Sequence, residues 1–235
     1  MLDGLRRNML LAALPEEELE RLGSLVEIVD AEIRLQVYEP RELIKDVYFP
    51  LSSIFSLVAL AEEEQIAVEV CTIGFEGMVG LPVFLGAQTS PNAAFCQVAG
   101  EAARMTAPDL IEFLRSDGVL HRRLHRFTQA TMVQMAQNVT CNSLHAVEQR
   151  ACRWLLMTSD RVRSDQFLLT QEFLAQMLGA RRPTVSDVAA RLQSDGLIRY
   201  SRGVVTVSDR EALVRRSCEC YLVLRAEFDS LGSES

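Results

Sequence analysis

The chain is nearly devoid of lysine: Lys45 is the single one among 24 basic residues, so arginine supplies almost all of the positive charge. Histidine occurs three times, at His121, His125 and His145, and none lies in the first 116 residues. A catalytic metal held by several histidines is therefore excluded from that part of the chain. No cysteine precedes Cys71, and the six thiols are scattered apart from Cys218 and Cys220, which argues against a disulfide framework. No apolar run approaches the ~20 residues a membrane-spanning helix needs. The phosphate-cradling P-loop, the glycine-rich dinucleotide turn and the nucleophile elbow are all missing. Internal repeats and low-complexity tracts are missing too. With these gone, no catalytic constellation is left, and the chain is not expected to be an enzyme.

What is present is a core-forming composition with an uneven charge. The 235 residues are 49% hydrophobic, enough for one or two packed domains. Met9 to Leu14 follows two arginines, but Pro15 and Glu16-Glu17-Glu18 cut the run short. It reads as an amphipathic helix and not as a signal peptide, and a cytoplasmic location is expected. The net charge is −8. Residues 1–116 hold 8 basic and 19 acidic groups, residues 117–216 hold 15 and 9, and residues 217–235 hold 1 and 4. An acidic first part joined to a basic second part suits a protein of which only one face must attract a polyanion.

Along the chain, one or two short helices are expected between Leu5 and Leu25, with the acidic groups in a first turn favoured by the helix dipole. From Val26 to Thr106 the pattern turns to short β-rich runs, Val47–Leu51, Ile54–Val58 and Ile66–Ile73, punctuated by glycines. This argues for a sandwich or jelly roll. A helix follows Pro108, and a longer one is predicted from Leu120 to Leu144. On it Leu120, Leu124, Phe127, Thr131, Met135 and Val139 form one apolar stripe, able to bury itself on its own domain or against a second copy. Gln129, Gln134, Gln137, Asn138 and Asn142 on the same helix are read mainly as solvated. Ala146 to Met157 opens the last domain, and Ser159 to Gln166 is a polar link.

Thr170 to Val207 is the most informative stretch. Thr170 can cap a first helix, and Gly179 breaks it, since glycine enters a left-handed turn freely. Pro183 restarts a helix at a first-turn position. Val185, Val188, Ala189 and Leu192 then share one face, with Thr184, Ser186, Asp187, Arg191 and Ser194 opposite. After Gly196, strands Leu197–Tyr200 and Val204–Val207 are joined by a tight turn at Ser201-Arg202-Gly203. Helix, glycine turn, helix and hairpin is the order of a winged helix-turn-helix. Its second helix is slim enough for a major groove about 12 Å wide. Arg181 and Arg182 at its start, and Arg202 at the hairpin tip, suit phosphates.

Leu169-Thr170-Gln171, Gly179, Arg182, Thr184-Val185, Leu192, Gly196-Leu197-Ile198 and Gly203 carry a resemblance to the Crp/Fnr (catabolite activator / fumarate-nitrate regulator) family of transcription regulators. The resemblance implies an α+β fold: a cyclic-nucleotide-binding-like β-roll with flanking helices over 1–116, a dimerisation helix over 117–148 and a winged helix-turn-helix over 149–235. It implies contacts to double-stranded DNA from Thr170, Gln171, Arg181, Arg182, Thr184, Ser186, Asp187, Arg191 and Arg202. It also implies a homodimer through the six-residue stripe, and RNA polymerase as a further partner. Where a base-reading Glu and a second Arg stand in the catabolite-activator branch, this chain has Pro183 and Asp187, so a different operator is expected.

The family's phosphate cassette maps onto Gly80, Leu81, Pro82 and, ten residues on, Pro91, Asn92 and Ala93. Leu81 replaces the ribose-binding Glu, and Pro91, or Asn92 if the loop shifts by one, replaces the phosphate-binding Arg, so recognition of cAMP or cGMP is expected to be lost. Another small effector and a filled core both remain open for this region. The Fe–S mechanism of the fumarate-nitrate branch lacks its N-terminal cysteines, and haem lacks a β-roll histidine. A cupin-type enzyme lacks the same histidines. His121 and His125 read as exposed helix residues. Cys218-Glu219-Cys220 reads as two buried or incidental thiols, with redox activity or a soft metal as the alternative. No cofactor, metal or membrane partner is expected.

Overall fold

The computed structural model of the chain describes residues 2–61 and 66–232. These fall into two compact units, one formed by residues 2–57, 71–132 and 227–232, the other by residues 58–61, 66–70 and 133–226.

In the first unit the chain opens with α1 (Leu2–Leu5), followed by α2 (Met9–Ala12) and α3 (Glu16–Gly23), two short helices within the range where one or two were expected. The strands are β1 (Glu27–Ala31), β2 (Gln36–Tyr38), β3 (Asp46–Pro50), β4 (Ile54–Ala61) and β5 (Ile66–Ile73), of which residues 58–61 and 66–70 belong to the second unit. A one-turn helix, α4 (Leu81–Phe84), precedes β6 (Ala93–Val98) and β7 (Gly100–Thr106), and α5 (Ala107–Leu114) follows. Two sheets result, of order β1-β7-β3 and β2-β6-β4-β5. Glu27 pairs with Arg104, and Val47 with Met105, both in antiparallel register. Phe49, Ile54, Phe55, Met78 and Ala103 are fully buried among them.

Two polar residues tie helices to this unit. The buried Asn8 accepts from the N–H groups of Leu10 and Leu11 and donates to the carbonyls of Pro50 (3.0 Å) and Gly77 (2.9 Å). It thereby satisfies a helix start and two buried carbonyls. Glu18, expected to favour the dipole of its own helix, also accepts at 3.0 Å from both Val119 and Leu120 N–H. Those are orphan donors of the long helix α6 (Val119–Leu144), so a carboxylate from α3 caps it.

The apolar stripe of α6 needs correction. Leu120, Leu124, Phe127 and Thr131 are buried within the chain itself, Met135 is half-buried, and Val139 is 68% exposed. The reason is angular. Eighteen residues make about five turns, so Asn138 lies in line with Leu120, while Val139 has drifted about 100° round the helix. The buried line therefore runs on through Gln134 and Asn138, which are 1% and 8% exposed, and not through Met135 and Val139. Asn138 donates to the Val70 carbonyl at 2.8 Å. The reading of these amides as solvated thus holds for Gln129 and Asn142 but not for these two.

The second unit continues with α7 (Val147–Val162), β8 (Gln166–Leu168), α8 (Gln171–Met177), α9 (Arg182–Ser194), β9 (Ile198–Ser201), β10 (Val204–Val207) and α10 (Arg210–Arg216). The last helix, α11 (Cys220–Gly232), begins in this unit. The segment read as a polar link from Ser159 is helical as far as Val162, and β8 adds a third strand to the hairpin. Trp154 is buried and donates from its indole nitrogen to the Glu69 carboxylate at 2.9 Å.

Close packing at Gly77 gives a direct test of the first unit. A Cβ there would overlap the Phe127 ring, itself fully buried. Gly77→Ala should lower stability by about 1–3 kcal/mol through overpacking. Urea denaturation should show a lower midpoint; an unchanged midpoint would mean the ring moves aside freely.

Candidate nucleic-acid interface

The second unit positions α9 by local rules read directly from its sequence. Thr170 caps α8, its hydroxyl oxygen accepting from the Phe173 N–H at 3.1 Å. The helix ends at Gly179, which takes φ +56°. The Ala180 N–H returns to the Ala175 carbonyl at 2.9 Å, closing the turn. Arg181 is the N-cap of α9, and Pro183 sits in its first turn. Val185, Val188, Ala189 and Leu192 are all buried, as their spacing predicts. Burying those side chains stabilises the unit by roughly 1.5–3 kcal/mol for each of the larger ones.

Further hydrogen bonds fix the angle between the two helices and the hairpin. The Ser186 hydroxyl donates to the Gln171 side-chain carbonyl at 2.7 Å. The Gln193 side chain accepts from the Tyr200 N–H at 2.7 Å, and the Tyr200 hydroxyl donates to the Leu169 carbonyl. The buried Arg150 donates to the Leu178 carbonyl, an orphan acceptor at the end of α8. At the hairpin tip Arg202 (φ +51°) and Gly203 (φ +77°) form a two-residue turn between paired Ser201 and Val204. Both central residues are left-handed, the geometry that matches the twist of the flanking strands.

The nine residues expected at DNA divide into two groups. Arg181, Arg182, Thr184, Asp187 and Arg202 are exposed, and these three arginines make no ion pair with any described residue. Arg199 on β9, which sequence reasoning passes over, is exposed in the same way. The other group is engaged within the chain. The Thr170 hydroxyl caps α8, and Gln171 and Ser186 are bonded to each other. Arg191 donates to Glu148 at 3.0 Å, and Arg216 spans Glu148 and Asp195 at 2.7 Å each. The polar face of α9 is therefore basic at its start and charge-balanced at its end.

The expected effector segment lies in the first unit. Gly80 (φ +98°) starts α4, Leu81 and Pro82 are half-buried, Pro91 is exposed, Asn92 is half-buried and Ala93 is buried. None presents a charge. A separate open cleft of about 870 Å³ has Lys45, Phe84, Ile111, Arg115 and His121 among its walls, and none of the six expected residues lines it. His121 Nδ1 lies 2.7 Å from Asp117, four residues earlier, and its ring stacks edge-on with His125 and Phe84. Cys218 and Cys220, read as buried or incidental thiols, are buried, and they meet Cys141 and His145, with all four ligand atoms within 4.8 Å of one another. In the sequence this cluster is signalled by the Cys-x-Cys spacing and by Cys141 and His145 four residues apart.

Glu148 governs how much of the arginine charge is free. Burial pushes its carboxyl up, but hydrogen bonds from Arg216 and Arg191 outweigh this, and its pKa lies below the ordinary value. Its contribution to stability is present above the unfolded carboxyl's pKa of ~4.3 and is lost as pH falls through the lower folded value. Glu148→Gln should thus flatten the acid limb of the stability–pH curve. It should also release Arg191, steepening the salt dependence of DNA binding by up to about one phosphate contact. An unaltered salt slope would show that Arg191 does not reach DNA even when freed.

Residues 149–216 match the family model described as the Crp-like helix-turn-helix domain. No curated protein sequence matches the chain. Among solved structures, it is similar to the c-di-GMP responsive global regulator CLP of Xanthomonas campestris, at 18% identity over 83% of this chain and 100% of that one, with a TM-score of 0.64. It is similar to FixK2 of Bradyrhizobium japonicum at 14% identity, over 82% and 98%, with a TM-score of 0.69. A CRP-family transcriptional regulator of Thermus thermophilus, TTHB099, matches at 19% identity, over 80% and 96%, with a TM-score of 0.65. At such identities the likeness is one of fold: a β-rich first part, a long helix and a helix-turn-helix end. Residues 149–216 are thus similar to a Crp-like helix-turn-helix domain, and the fold around them is that of solved Crp-family structures.

Proposed function

We propose that the chain acts as a homodimer on a palindromic operator, with α9 of each copy in successive major grooves and a sensor domain that has lost cyclic-nucleotide recognition. The observation that carries this reading is the free basic cluster at the start of α9. Arg181 and Arg182 are exposed and make no ion pair with any described residue beside a helix start, while the opposite face of the same helix is buried. Two such helices spaced about 34–36 Å apart meet one face of the duplex, one turn apart.

The surface of α6 supports a dimer, though through a line of residues that shares only Val139 with the apolar stripe. Met132 and Val139 are 61% and 68% exposed, and Ala136 lies exposed between them. This side is free of the chain's own packing and carries apolar groups at helical spacing. Val139→Glu should place two like charges near the dyad and convert the protein to monomers. Light scattering tests this; a dimer that survives would mean the copies associate elsewhere.

Within each reader, Arg182 suits bidentate pairing with a guanine, Pro183 offers no donor, and Asp187 can accept from a cytosine. Arg181 is placed for phosphate. Arg181→Ala should weaken binding to all sequences and reduce the salt slope by about 1. Arg182→Ala should lose about 1–3 kcal/mol of discrimination at one base pair. Binding titrations on operator and scrambled duplexes separate these effects, and a reversal of the two phenotypes would exchange the roles.

The sensor reading rests on Leu81 and Pro91. Neither can replace a charge-assisted contact to ribose or cyclic phosphate, each worth about 1.5–3 kcal/mol. The cleft walled by Lys45 and Arg115 offers room for an effector of another kind. RNA polymerase is the partner beside which a bound regulator of this type acts, and the cytoplasm is where it meets DNA. Selection of operators from random duplexes, with and without cAMP, tests the whole reading. A palindrome with no response to cAMP is expected. Tenfold tighter binding with cAMP, a coupling of about 1.4 kcal/mol, would overturn the sensor reading alone. A selection that yields no preferred sequence would overturn the reading of α9.

A further inference from the structure

We propose that Cys141, His145, Cys218 and Cys220 form a mononuclear, tetrahedral zinc site that clips the end of α6 to the start of α11. Cys141 and His145 stand four residues apart at the end of α6, with the His145 N–H bonded to the Cys141 carbonyl at 3.1 Å, so both side chains face the same way. Cys218 and Cys220 flank the start of α11. The Cys141 and Cys218 sulfurs are 3.5 Å apart, and Cys220 Sγ is 3.5 Å from His145 Nδ1. A tetrahedron with Zn–S bonds of about 2.3 Å and a Zn–N bond of about 2.0–2.1 Å has ligand–ligand edges of roughly 3.5–3.8 Å. All four donor atoms here lie within 4.8 Å of one another, so one ion fits and a cluster of several irons does not.

Chemistry beyond the four ligands points the same way. Three thiolates and one imidazole are a set that zinc favours in closed structural sites. His145 Nε2 lies 3.3 Å from the Glu219 carboxylate, which leaves Nδ1 to face a metal. A carboxylate on the far nitrogen of a ligating histidine fixes its tautomer and raises its basicity. The Gln137 side chain donates to Cys220 Sγ at 3.1 Å, as an outer hydrogen bond to a thiolate would require. Zinc with three thiolates carries one net negative charge, and the buried Arg153 acts electrostatically on Cys141. Cys141, Cys218 and Cys220 are each no more than 2% exposed, which closes the site to a further ligand from solvent. A structural role follows, because no coordination position is left open for a substrate.

Cobalt(II) titration of the full-length, reduced protein tests the site directly, because its spectrum reports ligand number and type. One equivalent should give intense visible bands of a tetrahedral centre and a thiolate-to-cobalt charge-transfer band in the near ultraviolet. Zinc should then bleach both. Cys218→Ser should weaken the charge-transfer band. Should that variant fail to fold, the surface change Glu219→Gln serves instead: it should keep the spectrum while weakening metal affinity about 10- to 100-fold. A weak octahedral spectrum, no saturation at one equivalent, or a Cys141–Cys218 disulfide formed in air with no metal uptake would each overturn the proposal. The operator selection described above is independent of all these outcomes.

Discussion

Everything the second unit can do depends on burying one side of α9. Val185, Val188, Ala189 and Leu192 hold that helix against its unit from one side, which leaves the start of the opposite side uncovered. That side is then free to be slender and charged. The supporting bonds from Tyr200, Gln193 and Gln171 are polar and internal, so they fix the helix angle without covering the exposed start of its polar face. A reader built this way separates the two demands on a recognition helix, rigidity behind and chemistry in front.

The basic face is not uniform, and this follows from the same architecture. At the start of α9 the arginines make no ion pair with any described residue, but at its end Arg191 is drawn into a network with Glu148, Arg216 and Asp195. The network joins α7, α9 and α10 and leaves Glu148 with a side chain only 20% exposed. Charge that could have gone to DNA is used to hold three helices together. Net charge alone, summed along a sequence, cannot distinguish these two uses.

Much of the reader is legible in the sequence because its signals are local. A capping threonine, a glycine turn, a proline in a first turn, four apolar residues at i, i+3, i+4 and i+7 and a two-residue hairpin each act within a few positions, and the expected strand Val204–Val207 matches the observed one to the residue. What escapes is long-range or angular. Glu18 caps a helix about a hundred residues later, and no spacing rule reaches that far. The third strand, β8, is too short to carry its own alternation. A stripe on α6 chosen by apolar residue type follows Met135 and Val139, while the buried line passes through two amides. Cys141 and His145 lie 77 and 75 residues from their thiol partners, and only folding brings those atoms together.

The near-absence of lysine has a consequence for how such a reader can be controlled. Every basic group on its surface apart from histidine is a guanidinium, which stays protonated at any pH a cell experiences. Lysine acetylation, which silences basic surfaces by removing an ammonium charge, has no target there, since Lys45 belongs to the other unit. The positive charge of this unit is thus beyond the reach of lysine chemistry. It can be offset by the salt around it, by phosphorylation of hydroxyl side chains, or by carboxylates that claim arginines for themselves.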